Sequence, residues 1–387
     1  MRHACVLCLM AASGIACAQQ FAPDASVFPR ADAPPSRAVS MGMVGSMATS
    51  GLSFGSAFEQ PDADAPASED LLAPPSLHLT ALTFYWENDG AYVKRFDSAD
   101  RHYTNGLRIE ASFQPGLCPT FGEWLDSWLS IGGTQRHAGG LALSQLMFTA
   151  EDISEADLIE SDRPYAGYLY ASVFHQRRTE TVFDHVELQL GVVGELSGAE
   201  GVQKAAHAAF PNEPRPQGWS NQLANELGVG AFYQRRWRSR QVPLVWGLEA
   251  DAIPQVGFHL GNVWTDASVG GTVRLGYRIP DDFGPPRISE FRDATAVIDP
   301  DEPWGIYGFA RVTGTAVARN LFLDGNTFAD SHSVGSKPLV GDLTLGLAAR
   351  YRCLELTYSI TWMTEEFEGQ EGGDSYGTLA LGWNFDW

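Results

Sequence analysis

From Leu77 onward, apolar side chains fall on every second position in runs of about ten residues, and no other feature restricts the fold so tightly. Leu107, Ile109, Ala111 and Phe113 alternate with Arg108, Glu110 and Ser112. Val186, Leu188, Leu190 and Val192 alternate with Glu187, Gln189 and Gly191, and Leu354, Leu356, Tyr358, Ile360 and Trp362 with Glu355, Thr357, Ser359 and Thr361. A period of two with one apolar face is a β-strand. Strands of soluble sandwiches usually stop at about five or six residues, whereas nine to eleven match a bilayer crossed at a tilt. About twelve such runs are predicted, near 78–87, 103–114, 140–149, 165–176, 182–194, 224–237, 243–256, 268–279, 304–317, 340–351, 354–364 and 375–386. The last one places Leu379, Leu381, Trp383, Phe385 and Trp387 on one face up to a terminal aromatic, with Gly382 and Asn384 on the other. The expected fold is all-β: a transmembrane antiparallel β-barrel of the outer-membrane type over residues 77–387. Trp304, Trp362, Trp383 and Trp387 are read as anchors at the membrane interface.

Charge narrows the partners. Lys and Arg number 26 against 47 Asp and Glu, a net charge of −21, so a phosphate-gripping nucleic-acid surface is excluded as the main role. Acidic oxygens suit hard cations instead. No apolar run of about 18 residues follows the first twenty positions, so spanning helices are not expected. A mean hydropathy of −0.15 does not count against a barrel, whose strands alternate.

The N-terminal stretch has a different character. A basic start (Arg2, His3), an apolar run from Ala4 to Ala16 and the small-residue site Ala16-Cys17-Ala18 read as a signal peptide over residues 1–18, hence export. Residues 19–76 are rich in Ala, Pro, Ser and Gly without hydrophobic period, and read as a disordered linker. Within it, Gly51-Leu52-Ser53-Phe54-Gly55 has the nucleophile-elbow spacing but neither the strand before nor the helix after, so it is set aside. Three of the five Cys lie in the signal, leaving Cys118 and Cys353, enough for one disulfide but no staple framework.

Several ordered motifs are specific. They are Trp86-Glu87-Asn88-Asp89, Asp100-Arg101-His102-Tyr103-Thr104-Asn105-Gly106, Asp162-Arg163-Pro164-Tyr165-Ala166-Gly167, Gly218-Trp219-Ser220-Asn221-Gln222-Leu223, Arg319-Asn320-Leu321-Phe322-Leu323-Asp324-Gly325-Asn326 and Phe367-Glu368-Gly369-Gln370. Together they resemble the lipid A deacylase family of outer-membrane proteins, over roughly residues 78–387. The resemblance implies a twelve-stranded barrel and a calcium-dependent hydrolase that removes the 3′-acyloxyacyl group from lipid A. It also implies the site. Asn88 and Asp89 match an Asn-Asp pair ending the first strand, Thr104 a threonine in the second, and His207 with Glu213 a His-to-Glu spacing of six on a helical segment after the fifth. His207 and Asn88 are then catalytic, and Asp89, Thr104 and Glu213 hold Ca2+.

The chemistry is coherent on its own terms. Water needs a base working near neutral pH, for which His is the natural side chain, and the ester carbonyl needs positive character where the oxyanion develops. Asp89, Thr104 and Glu213 are hard oxygen donors of the kind calcium takes. His185, facing inward on its strand, is the reserve base. Asp162-Arg163-Pro164 reads as a structural salt bridge and turn, and Asp299, Asp301 and Glu302 as a solvated acidic loop. The expected partners are lipid A or lipopolysaccharide and the outer membrane itself, with the protein a monomer and no nucleic acid bound. The competing reading is a non-catalytic barrel, a channel or surface structural protein that kept the fold.

Overall fold

The computed structural model describes residues 77–89, 101–114, 116–117, 127, 134–209, 214–296 and 301–385. The signal, the linker with its Gly51–Gly55 motif, Cys118, Glu213, Asp299 and Trp387 lie outside these residues.

Twelve strands hydrogen-bond in chain order: β1 (His78–Asn88), β2 (His102–Gln114), β3 (Arg136–Thr149), β4 (Ala166–Arg178), β5 (Val182–Val193), β6 (Glu226–Trp237), β7 (Glu249–Gly261), β8 (Trp264–Tyr277), β9 (Trp304–Asn320), β10 (Leu339–Tyr351), β11 (Leu354–Met363) and β12 (Ser375–Asn384). Every neighbouring pair is antiparallel. The sheet closes where β12 pairs β1, with Leu82 opposite Trp383, and where β6 pairs β7, with Phe232 opposite His259. A thirteenth, two-residue strand, Val242–Pro243, only extends the foot of β7. Closure leaves no edge, which a barrel in lipid requires because unpaired backbone groups there have no water to bond.

The apolar rows face outward. Leu188 is 52% exposed and Leu190, Val312, Leu345 and Leu347 are likewise uncovered by protein, while the residues between them are buried in the lumen. Trp304 and Trp383 stand at one end of their strands and Trp362 at the other, the arrangement of aromatic girdles. Strand limits follow the expected ones closely except around β7 and β8. The alternation predicts no strand over 257–267, whereas Phe258 and Leu260 continue the outer row and a tight turn at Asn262-Val263 joins the strands.

Tight turns at 179–181 and 352–353 share one rim with the start of β1 and the end of β12. The opposite rim carries 150–165, 194–209, 214–225, 321–338 and 364–374, the long-loop end that faces outward in such barrels. At this rim the four-residue helix α2 (Leu321–Asp324), capped by Asn320, lays Leu321 and Phe322 across the mouth, with Phe322 stacked on Phe148 at 4.2 Å.

The lumen is occupied. After β8, residues 287–295 turn back into the barrel rather than staying at the rim. The Ile288 N–H donates to Glu87 on β1 (2.9 Å), Glu290 accepts from Gln234, Gln255 and Arg236, and Asp293 and Arg292 pair with Arg178 and Glu355. Phe291 stacks on His185 at 4.0 Å and lies under the Arg108 guanidinium. Arg108 in turn bridges Glu110 and Glu187, so these buried charges are paired, as a lumen at membrane depth demands.

Candidate active site

Asn88 at the end of β1, Asp89 just after it, and residues 101–104 at the start of β2 are drawn together on the outer rim. Between β2 and β3 the register slips by one, because Tyr103 pairs Phe148 and Asn105 pairs Met147, leaving Thr104 as the extra residue of a β-bulge. A bulge re-aims its side chain and frees its backbone from the ladder. Thr104 uses both freedoms. Its carbonyl accepts from Asn88 Nδ2 (3.0 Å) and from the Asp89 N–H (3.4 Å), and its hydroxyl meets that of Thr149 on β3 at 2.8 Å. Asp89 is buried, and its Oδ2 accepts the Arg101 N–H at 2.6 Å. Asn88, Asp89 and Thr104 therefore form one hydrogen-bonded group despite the loop between their strands.

Behind them stands a clamp that the sequence motifs do not announce. His102, with φ of 60°, turns its ring into the protein between two carboxylates: Nδ1 lies 2.7 Å from Asp374 and Nε2 3.2 Å from Asp162. Each ring nitrogen thus has a carboxylate within reach, so a protonated ring would find an acceptor on both sides. Burial raises the Asp162 and Asp374 carboxyls, but the hydrogen bonds and charge of His102 outweigh it and hold both below the usual range. Gln370 adds a bond to Asp374 (2.8 Å), Arg101 another (2.9 Å), and Phe367 meets the imidazole edge-on. Asp162-Arg163 is structural here, with Arg163 paired to Glu366 at 3.1 Å. The residues of the clamp stand in or beside three of the motifs, but nothing in their spacing tells that residues some 270 positions apart meet.

His207 lies on a separate element. Helix α1 (Ala199–Ala209) is alanine-rich, begins after the left-handed Gly198, and carries Glu200 in its first turn, the favourable end for a negative charge, and His207 in its last. It rests on β3 and β4. A Cβ on Gly167 would collide with Ser197 and Ala199, so the glycine lets the helix start approach the wall. Gln203 accepts from the Trp219 indole at 2.7 Å, and Trp219 packs edge-on against Tyr165. The Tyr165-Ala166-Gly167 and Gly218-Trp219 motifs are thus the seat of α1. The His207 Nδ1 lies 2.6 Å from the Pro214 carbonyl oxygen, so that nitrogen carries the hydrogen and the lone pair belongs to Nε2. His185, the reserve base, is fully buried between Phe174 and Phe291 in the lumen, away from the rim.

Carboxylate, hydroxyl and carbonyl oxygens at Asp89 and Thr104 are hard donors, the chemistry calcium takes. Among the described residues no group of three or more His, Cys, Asp or Glu is arranged to hold an ion, and Glu213 lies outside them.

A closed antiparallel barrel with outward apolar rows, aromatic girdles and a polar residue cluster on its long-loop rim defines an outer-membrane β-barrel protein. Residues 55–385 match the family described as outer membrane protein LpxR, and the chain belongs to that family. LpxR from Salmonella typhimurium has a similar structure, with a TM-score of 0.63 at 19% identity over 79% of this chain and 100% of that one. The β domain of the Bordetella autotransporter BrkA also aligns, at a TM-score of 0.42 and 11% identity over 79% of this chain and 99% of that one. No curated protein sequence matches the chain.

Proposed function

We propose that the protein is an outer-membrane ester hydrolase that removes an acyl group, the 3′-acyloxyacyl group, from lipid A. The observation that carries this reading is the Thr104 bulge, whose carbonyl gathers Asn88 and Asp89 on the long-loop rim. Membership of the LpxR family supports it.

In this reading His207 is the general base. Its bond to Pro214 fixes the tautomer, so Nε2 takes the proton as water attacks the ester carbonyl, then returns it to the leaving alcohol oxygen while the acyl group departs as a carboxylic acid. Asn88, held by its amide on the Thr104 carbonyl, orients the carbonyl or donates to the oxyanion. Asp89, Thr104 and Glu213 would hold a calcium ion, whose charge favours the oxyanion. The occupied lumen weighs against the reading as an open channel.

The test is direct. Purified protein is mixed with lipid A in detergent, with calcium or with a chelator, and products are read by mass spectrometry. Loss of the acyloxyacyl mass only with calcium is expected; intact lipid A under both conditions would overturn the reading.

A further inference from the structure

The rim of tight turns also carries a longer connection. Residues 238–248 join β6 to β7 there, and their tip reads Val242, Pro243, Leu244, Val245 and Trp246. The four large apolar side chains of this run are all exposed, Val245 at 67% and Trp246 at 86%. Single exposed apolar residues are ordinary on any surface, but a contiguous group at a loop tip marks a face that docks on something apolar.

The tip is built, with its backbone bonded. The Arg238 N–H donates to the Thr181 carbonyl and the Ser239 N–H to the Ala252 carbonyl, each at 2.9 Å, and Val242 and Pro243 pair with Ala250 and Glu249 at the foot of β7. Beyond them the Leu244 N–H donates to the Leu248 carbonyl (2.7 Å), and the Leu248 N–H to the Val245 carbonyl (3.3 Å), closing a turn. Trp246 has φ of 61°, the left-handed region that bulky side chains rarely enter. Strain of this kind persists only where the surroundings hold it, and here the loop's largest side chain is left outside the protein.

The neighbours of the tip say what covers it. Val242 and Ala250, opposite each other in the ladder, line one shallow depression of the outer wall with Ala252, Val273, Leu275 and Ala310. Val273 and Leu275 belong to the exposed rows that face lipid. The apolar tip therefore continues the bilayer-facing surface of the barrel. Charge agrees with this. Residues 238–248 hold Arg238 and Arg240 and no acid, in a chain where Asp and Glu outnumber Lys and Arg by 47 to 26. Arg238 is tied to Asp281 and to the Glu180 carbonyl, whereas Arg240 is exposed. A Trp and aliphatic side chains beside an exposed Arg suit a membrane interface, with the apolar groups among acyl chains and the cation at phosphate depth.

We propose that residues 238–248 are an interfacial anchor that inserts Leu244, Val245 and Trp246 into the periplasmic leaflet and sets Arg240 against its phospholipid phosphates. The anchor rests on the orientation of the barrel, long loops outward, and not on the hydrolase reading.

The full chain, with its native cysteines replaced by serine, is spin-labelled at Val245→Cys or Trp246→Cys in phosphatidylcholine vesicles with or without phosphatidylglycerol. Leu190→Cys in an outward row and Glu160→Cys in an outer loop give the lipid and water standards. Heat-dependent gel mobility shows that each variant forms the barrel. Oxygen, which concentrates in lipid, should relax the labels at 245 and 246 as strongly as the one at 190, while a water-soluble nickel chelate should barely reach them. Phosphatidylglycerol should move both labels deeper, and Arg240→Gln should abolish that shift. Leu244→Asp should bring the label at 245 to the accessibility seen at 160. Three results would overturn the proposal. Labels as open to nickel as the one at 160 would place the tip in water, as a surface for a periplasmic partner. Labels shielded from both reagents, with spin–spin broadening between copies, would make it a contact between two barrels. Depths indifferent to phosphatidylglycerol and to Arg240→Gln would remove the phosphate contact.

Discussion

The His102 imidazole and the Asp374 carboxylate meet at 2.7 Å across 272 positions of the chain, tying the start of β2 to the loop that leads into β12. Because β1 lies between these two strands, the bond closes over the end of β1, where Asp89 receives the Arg101 N–H. The proposed site is held by long-range ion pairs around a single ring.

Those pairs set a pH limit. Asp162 and Asp374 have carboxyl pKa values held below their ordinary value. Their stabilisation is complete above the unfolded value, near 4, and is lost as pH falls through the lower folded values. Hydrogen exchange of 150–165 and 364–374 should therefore stay slow as pH is lowered to about 5 and rise only below about pH 4. Asp374→Asn should show fast exchange in 364–374 already at neutral pH.

Removing the proposed base should separate chemistry from folding. His207 is only part-buried at the end of α1, so His207→Ala should leave the barrel intact by gel mobility. Acyl release should fall roughly a hundredfold or more, the scale of a positioned general base. A folded variant working at the parent rate would remove His207 from the mechanism.

Asp89→Asn keeps the shape and the bond from Arg101 while removing a charge. Half-maximal activity should then need roughly tenfold or more extra calcium, in line with losses seen when metal sites are weakened. Parent-like activity in excess chelator would exclude the ion from the reaction.

Gly167→Ala tests whether α1 must seat closely. The added methyl meets Ser197 and Ala199, and such overpacking costs about 1–3 kcal/mol. Circular dichroism should report an unchanged strand content, while acyl release falls because His207 is carried on the displaced helix.

The sequence is most legible where lipid imposes a rule. Rows such as Leu343, Leu345 and Leu347 must be apolar because nothing else can face the bilayer, so strand number and facing can be read from period alone. Where the partner is inside the protein, that rule stops. Arg287, Glu290, Arg292 and Asp293 read as a polar connection, because charge normally marks solvent, yet each is buried against lumen groups on distant strands. The inward residues likewise do not distinguish a channel from a filled barrel, since the arginines 108, 236, 274 and 311 that fill the lumen look, one by one, like any polar position. At the rim, Asn88, Asp89 and Thr104 can be named from motifs, but the bulge that joins them depends on register with β3, which has no local mark.

The inward-folded segment between β8 and β9 also bears on the cell as a whole. A twelve-stranded tube left hollow would pass ions, and each added copy would lower the electrical resistance of the envelope. With Glu290 bonded to three side chains and Phe291 wedged against His185, the barrel is expected to conduct poorly, so that its abundance in the outer membrane could rise without making that membrane leak.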